Sequence, residues 1–327
     1  MLGSPITKRR WRSFRSNNRA FWSLIIFSGL FTLSLFAEFI ANDKPVFVSY
    51  RGEIHMPIFT FYPEVRFGGD FKTEAAYKEV EVECLILSGG LSDCFEKPED
   101  IVDAIKLDKF ENLEFHRGWI IWPLIPYSFD TSVDIPGAAP LPPSKSNILG
   151  TDDVKRDVLA RVIYGFRISI MFTLLVTIAS SLLGILAGAV QGYFGGRTDL
   201  FFQRFIEIWG AVPSLYVIII LFAILGRSFW LLVLLTVLFG WMGLVGVVLM
   251  PFIVTGTIAT LASLDFLGFG LPASAPSLGE LTLQAKQNLQ APWLGFTAFF
   301  TFAIMLALLV FIFEGIRDAF DPRKTFK

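Results

Sequence analysis

Cysteine and histidine are nearly missing from this chain, with two of each in 327 residues. So few thiols and imidazoles exclude a zinc cluster and a disulfide-dense fold. Charge is scarce too, at 17% of residues, and it vanishes between Phe229 and Leu264. At about 1.5 Å per helical residue that stretch would be roughly 54 Å long, against a hydrocarbon core of roughly 30 Å. One span cannot absorb it. Pro251 lies near its middle, flanked by two apolar blocks long enough to cross a bilayer, Phe229 to Val248 and Phe252 to Leu271. No polar turn separates them, and helices joined inside hydrocarbon would leave terminal backbone groups unsatisfied. The spacing therefore calls for a polar segment missing between about Val247 and Pro251.

What the chain has in excess is apolar surface. Apolar residues make up 54% of it, Phe alone contributes 35, and the mean hydropathy is +0.59. A multi-span membrane protein has this composition; a soluble domain does not. The net charge of -1 conceals strong segregation. Residues 1–20 carry Lys8, Arg9, Arg10, Arg12, Arg15 and Arg19 with no acid, and the apolar run 21–41 follows as a first transmembrane helix. The positive-inside rule keeps this N-terminus cytoplasmic. A signal peptide is the weaker reading, because the run is long and lacks a small-x-small cleavage site.

Residues 42–148 have the composition of a soluble segment in which acids outnumber bases, and they read as an external α+β insert. Short β-like pieces (Val46 to Tyr50, Ile58 to Tyr62) alternate with helical ones (Thr73 to Val82, Pro98 to Ile105) before a Pro-rich approach to the membrane. His55 and His116 are isolated packing or surface residues, and no catalytic constellation or metal site is present. Cys84 and Cys94 flank a Gly-containing loop; an oxidising compartment favours a disulfide there, with two separate thiols as the alternative.

A second membrane part runs from 149 to 327. Leu149-Gly150-Thr151-Asp152-Asp153 reads as a helix start, followed by an interfacial helix in which Asp152/Arg156 and Asp157/Arg161 pair at i,i+4 on the polar face. On the second span, Phe166 to Tyr193, the small residues Ser180, Gly184, Gly188 and Gly192 recur every four positions and form a helix-packing seam. The third span, Phe201 to Leu225, carries Arg204, Glu207 and a kinking Pro213. Glu207 either pairs with Arg204 one turn away or faces a transport path. Asp265, near the outer end of the fifth span, either contacts a solute or partner or caps the outer loop. Glu207, Trp209, Asp265 and Phe266 are the candidates for substrate path or partner-subunit contact. A final span, Phe296 to Ile316, ends in Arg317, Arg323, Lys324 and Lys327. Counting two spans across the long apolar stretch puts those bases on the cytoplasmic side with the N-terminus; counting one does not.

Several runs carry a family resemblance. They are Leu149 to Asp153, Arg156 to Gly165 with Arg167-Ile168-Ser169, Gly192 to Gly196, Leu264 to Gly270, Pro276 to Gly279, and Arg317 to Arg323. In this order they resemble the membrane domain of the oligopeptide/dipeptide permease family of ABC importers. The insert after the first span and the ending Asp318 to Phe326 are most similar to the second permease subunit of its Yej-type branch, importers of peptides and the peptide antibiotic microcin C.

The resemblance implies an all-α polytopic membrane protein with the six helices of a type I importer permease. It also implies a homologous permease as heterodimer partner, a periplasmic solute-binding protein, and a cytoplasmic ATPase, separate or fused. The chain would itself be non-catalytic and cofactor-free, ATP and magnesium being bound by the ATPase, and would sit in the bacterial inner membrane with no nucleic-acid role. An ATPase-coupling loop is expected between the fourth and fifth spans, where this chain has nothing; Lys155 also departs from the small residue common there. Either the protein made in the cell carries the loop, or the chain has a genuine deletion and cannot couple. Other solutes of the same family (dipeptide, nickel) are the alternative substrates, and a channel or secondary transporter is the alternative function.

Overall fold

A computed structural model of the chain describes residues 5–107, 117–133, 135–244, 250–272 and 274–320. His116 and most of the expected coupling-loop position between Val248 and Pro251 lie outside the described residues. Two compact units result: Phe36–Ile135, and the remainder, residues up to Leu35 together with those from Pro136. The sequence boundary at 148 moves because residues 136–148 fold against the segment after them. Thr151 N donates to the Leu141 carbonyl at 2.9 Å, and Leu141 N donates to the Thr151 hydroxyl at 2.9 Å.

The larger unit is helical: α1 (Pro5–Ser16) and α2 (Asn18–Leu35) from the N-terminal region, then α6 (Val158–Phe194), α7 (Gly196–Gly210), α8 (Ser214–Leu225), α9 (Phe229–Gly240), α10 (Met250–Phe266), α11 (Leu278–Gln287) and α12 (Pro292–Phe320). The helix α6 is its spine. One of its faces buries Val158, Phe166 and Ile170 against Ile258 of α10, Leu278 and Leu281 of α11, and Leu294 and Met305 of α12. Further along, Phe172 and Val176 pack with Ile218 and Phe222 of α8, Leu232 of α9 and Leu264 of α10. Ile178, Leu182, Ile185 and Leu186 of the same helix stay exposed, an arrangement suited to lipid rather than water.

Three helices, α2, α6 and α12, are long and apolar enough to cross a membrane, and a fourth span results if α7 and α8 count as one. These two meet at a bend of 66°. The kink expected at Pro213 is thus a full break: proline lacks the N–H that would continue the helix, and it stands as the N-cap of α8. The long apolar stretch divides as well, but its helices α9 and α10 have only 12 and 17 residues, separated by a 3-10 turn at Trp241–Leu244 and residues 245–249. Neither reaches the roughly 20 residues of a full perpendicular crossing.

Close helix contact occurs where side chains are smallest. A Cβ added to Gly315 of α12 would collide with the Ala20 Cβ of α2 and meet the Phe14 ring at 3.0 Å. Arg10 of α1 lies over the Phe320 ring at 4.4 Å, so the first and last helices are joined at this end as well.

The smaller unit holds α3 (Ala37–Ile40), β1 (Phe47–Tyr50), β2 (Glu53–His55), α4 (Val80–Ser88), α5 (Pro98–Lys106) and β3 (Trp119–Ile121). Its strands form an antiparallel sheet in the order β2-β1-β3, with Val48 opposite both His55 and Ile120. Ile58 to Tyr62, expected as a strand, forms a turn and loop instead, and the helix expected at Thr73 to Val82 begins only at Val80. Local apolar content there is equally compatible with packing from a loop: Tyr62 and Tyr77 contribute rings to the core around Phe67. His55 is a packing residue, 4.9 Å from the Tyr62 ring and 5.6 Å from Phe67. Cys84 and Cys94 are bonded to each other, tying α4 to the short 3-10 turn that follows.

Candidate functional site

The geometry starts from a buried knot of charge at the head of α6. Its helix begins at Val158, later than the sequence suggests, because residues 151–157 form a loop in which Lys155 takes a left-handed φ of 62°. Asp157, not Thr151 or Asp152, is the N-cap, accepting from Ala160 N at 2.8 Å and from the Asn147 amide at 2.7 Å. Burial nevertheless pushes the Asp157 carboxyl above its ordinary value, these hydrogen bonds only partly opposing it. Asp152, fully buried, accepts from Arg156 N at 2.8 Å and Arg156 Nε at 2.7 Å, with Arg161 Nε at 3.6 Å. The expected Asp152/Arg156 pair is therefore present, but it faces inward rather than lying on a polar face.

The knot joins distant segments. Arg161 Nη2 donates to the Ala275 carbonyl at 3.3 Å, Gln284 of α11 reaches Asp152 at 3.5 Å, and Trp293 Nε1 donates to the Thr151 carbonyl at 3.2 Å. Ser277 caps α11 by accepting from Glu280 N at 3.0 Å. Sequence reasoning missed Asn147, Gln284 and this role of Trp293; the Ser277-x-x-Glu280 spacing of a capping box was the one available signal.

At the other end of α6 lies an open cleft of about 540 Å³ lined by Gly188, Gln191, Gly192, Asp199, Gln203, Glu207 and Met242. Gly195 and Gly196, both with φ above 50°, turn the chain from α6 into α7 and so build the cleft's floor from two nearly consecutive helices. Asp199 accepts from the Gln191 amide at 2.5 Å and from the Gln203 amide at 3.2 Å. The side-chain oxygen of Gln191 is buried without a hydrogen-bond partner. Amides and carboxylates in this arrangement can hydrogen-bond a polar solute or partner, and they contain no nucleophile with a base. Among the described residues no His, Cys, Asp and Glu gather closely enough to hold a metal.

The four contact candidates fall in different places. Glu207 lines the cleft, though Arg204 Nη1 already holds it at 2.6 Å. Trp209 stacks between Phe205 at 5.7 Å and Phe239 at 5.6 Å, its Nε1 donating to the Leu238 carbonyl. Asp265 is only 3% exposed and accepts from Leu271 N at 2.8 Å, while side chains at Gly270 and Gly279 would both run into it. It holds the loop after α10, as the capping reading expects. Phe266 lies under Lys286 of α11, whose Nζ is 5.0 Å from the ring centre.

The four small residues of the expected seam have different surroundings. Ser180 and Gly184 are buried, and a Cβ on Gly240 would come within 3.2 Å of the Ser180 hydroxyl, so α6 and the end of α9 approach closely there. Gly188 and Gly192 line the cleft instead, and nothing lies within 4 Å of a Cβ at Gly192.

Comparison with known proteins now bears on this architecture. Residues 4–57 match the family model described as the N-terminal TM domain of oligopeptide transport permease C. The peptidoglycan transport system permease protein YejE of Agrobacterium fabrum is 44% identical over 390 aligned positions, covering 99% of this chain and 95% of the relative. The inner membrane ABC transporter permease protein YejE of Escherichia coli is 43% identical over 365 positions, covering 98% of each. The chain belongs to the peptide-transport permeases of ABC transporters.

A more distant permease of that family, the oligopeptide transport system permease protein OppC of Bacillus subtilis, is 29% identical over 225 positions, covering 56% of this chain and 73% of its own. Family membership makes the chain a membrane transport subunit, in keeping with its apolar helices. The two YejE alignments also exceed the 327 residues present here, by 63 positions at 390 and by 38 at 365. Each of those permeases thus has at least that many residues with no counterpart in this chain.

Proposed function

We propose that this chain is the transmembrane permease subunit of an ATP-driven peptide importer in the bacterial inner membrane. The observation that carries it is near-full-length identity to two YejE permeases, external insert included. Six spans follow if α2, α6, α7 with α8, α9, α10 and α12 each cross. Both basic ends then lie in the cytoplasm, and Phe36–Ile135 faces the periplasm, where the disulfide is at home.

The permease pairs with a homologous permease and receives peptide from a periplasmic solute-binding protein, for which the external unit is the docking surface. A cytoplasmic ATPase, binding ATP and magnesium, drives rocking between inward-open and outward-open states. The cleft at the end of α6, with Gln191, Asp199, Gln203 and Glu207, offers the hydrogen-bonding groups that a peptide path requires. Oligopeptides, including peptide antibiotics such as microcin C, are the substrates. Peptides derived from peptidoglycan are a second reading, favoured by the name of the Agrobacterium relative.

Residues unmatched in the YejE alignments include, in this reading, the coupling loop sought between Val247 and Pro251. The experiment is uptake of a labelled oligopeptide by cells lacking the gene, with and without the gene restored. Loss and recovery of uptake support the proposal, and unchanged uptake overturns it.

A further inference from the structure

The smaller unit carries exposed apolar side chains on three segments that meet beside residues 36–42. Phe36 is 55% exposed, Phe59 65%, Phe61 58% and Leu124 87%. Such a group is unfavourable in water, and it needs a cover.

Ring contacts and hydrogen bonds show that the segments meet. The Phe36 and Phe39 rings are 6.3 Å apart, and Phe39 meets Phe59 edge-on at 5.5 Å. A turn at 56–60, closed by Phe59 N and Thr60 N donating to the Met56 carbonyl, presents Phe59 and, just beyond it, Phe61. Leu124 precedes Ile125, whose N donates to the Ile40 carbonyl at 2.8 Å and whose carbonyl accepts from Asn42 N at 3.1 Å. All three segments are thereby fixed beside residues 36–42.

Chain connectivity identifies what lies next to them, whatever the orientation of the unit. Phe36 directly follows Leu35, the last residue of α2, so their Cα atoms are about 3.8 Å apart. The 18 residues of α2 cover about 27 Å, a few ångströms short of a hydrocarbon core of roughly 30 Å. Phe36 and the four residues of α3, with Phe39 among them, are the next residues along the chain. Phe59 then lies at the hydrocarbon boundary because it touches Phe39, and Leu124 lies close by through Ile125 and Ile40.

We propose that this group of side chains, Phe36 with Phe59, Phe61 and Leu124, is seated in the lipid interface of the bilayer, so that the unit rests on the membrane rather than being held by the chain alone. The occupant is lipid because the group begins at the end of a membrane helix and offers apolar side chains at the level where amphipathic segments insert. The proposal needs only that α2 spans, and it stands apart from the transport reading.

Both native cysteines of this chain are bonded, so a thiol introduced by Phe59→Cys, Phe61→Cys or Leu124→Cys is the sole free one in the chain and takes a nitroxide label without reductant, the label being attached before the other subunits are added. These positions are exposed, so the substitutions spare the core. The full transporter is reconstituted in phosphatidylcholine–phosphatidylglycerol vesicles, with Glu99→Cys on the exposed side of α5 as the aqueous control. Collision rates with oxygen, which partitions into lipid, are compared with those of a water-soluble nickel chelate. We expect oxygen to exceed nickel several-fold at 59, 61 and 124, and the reverse at 99. Nickel-dominated rates at the three sites would overturn the proposal, and so would low rates with both reagents, which would mean that protein covers them.

Discussion

Asp152 is fully buried and ties together the charged side chains at the head of α6. Its buried carboxylate holds Arg156 and lies beside Arg161, and removing one member of a buried ionic group strands the others in a medium that cannot solvate them. Asp152→Leu should therefore cost about 3–5 kcal/mol, read as a large fall in the thermal midpoint of the purified transporter; an unchanged midpoint would contradict it. His55 gives a prediction of pH dependence. Burial pulls its imidazole below the ordinary value, Arg66 adds to this and Glu53 opposes it. The unfolded chain then binds the proton more readily, so the contribution is complete above about pH 6.5 and is lost as pH falls below that. His55→Phe should remove this loss: amide protection at β2 in the variant should gain on the wild type between pH 7.5 and pH 5, and an equal decline in both would exclude it. At this scale the sequence showed the acids and bases of the knot but not their direction. Asp152 and Arg156 look like an exposed helical pair by spacing alone, and only the contacts with Gln284 and Ala275, more than a hundred residues away, turn them inward.

Among the helices, glycine has two different roles. At Gly315 the neighbours are the Ala20 Cβ, fixed to its helix, and the Phe14 ring; at Gly192 there is open space. Gly315→Leu should separate α12 from α2 and destabilise by about 1–3 kcal/mol as overpacking does, whereas Gly192→Leu should stay within about 1 kcal/mol. Parallel thermal melts decide, and equal effects at the two sites would refute the distinction. The four-residue recurrence from Ser180 to Gly192 is legible in sequence. What each small residue meets is not, because packing sets it: Gly240 comes close to Ser180, while Gly188 and Gly192 line the cleft with Met242. Pro213 was legible as an interruption, but its 66° angle depends on packing. Residues 58–62 and 73–79 were misread because loop residues that feed rings into a core carry the same apolar signal as a short strand or helix.

For the whole molecule, composition alone sufficed to place the chain in a membrane, and the motif order from Leu149 onward sufficed for the family. The apolar run from Phe229 to Leu264 calls for an intervening polar segment, and the alignments with the two YejE permeases are longer than this chain. The intact mass of the protein purified from its own membrane, set against 36.6 kDa, bears on this directly. A mass several kilodaltons higher, with extra peptides mapping between Val248 and Pro251, is the result expected of a coupled permease. A mass equal to 36.6 kDa would make the chain an uncoupled one. The most direct test of the importer reading is uptake of a labelled oligopeptide into proteoliposomes holding the transporter purified from that membrane, with and without its ATPase subunit. Uptake that needs ATP, the ATPase and this chain together is the predicted result. Uptake that continues without the ATPase would contradict it and make the chain part of a channel or secondary transporter.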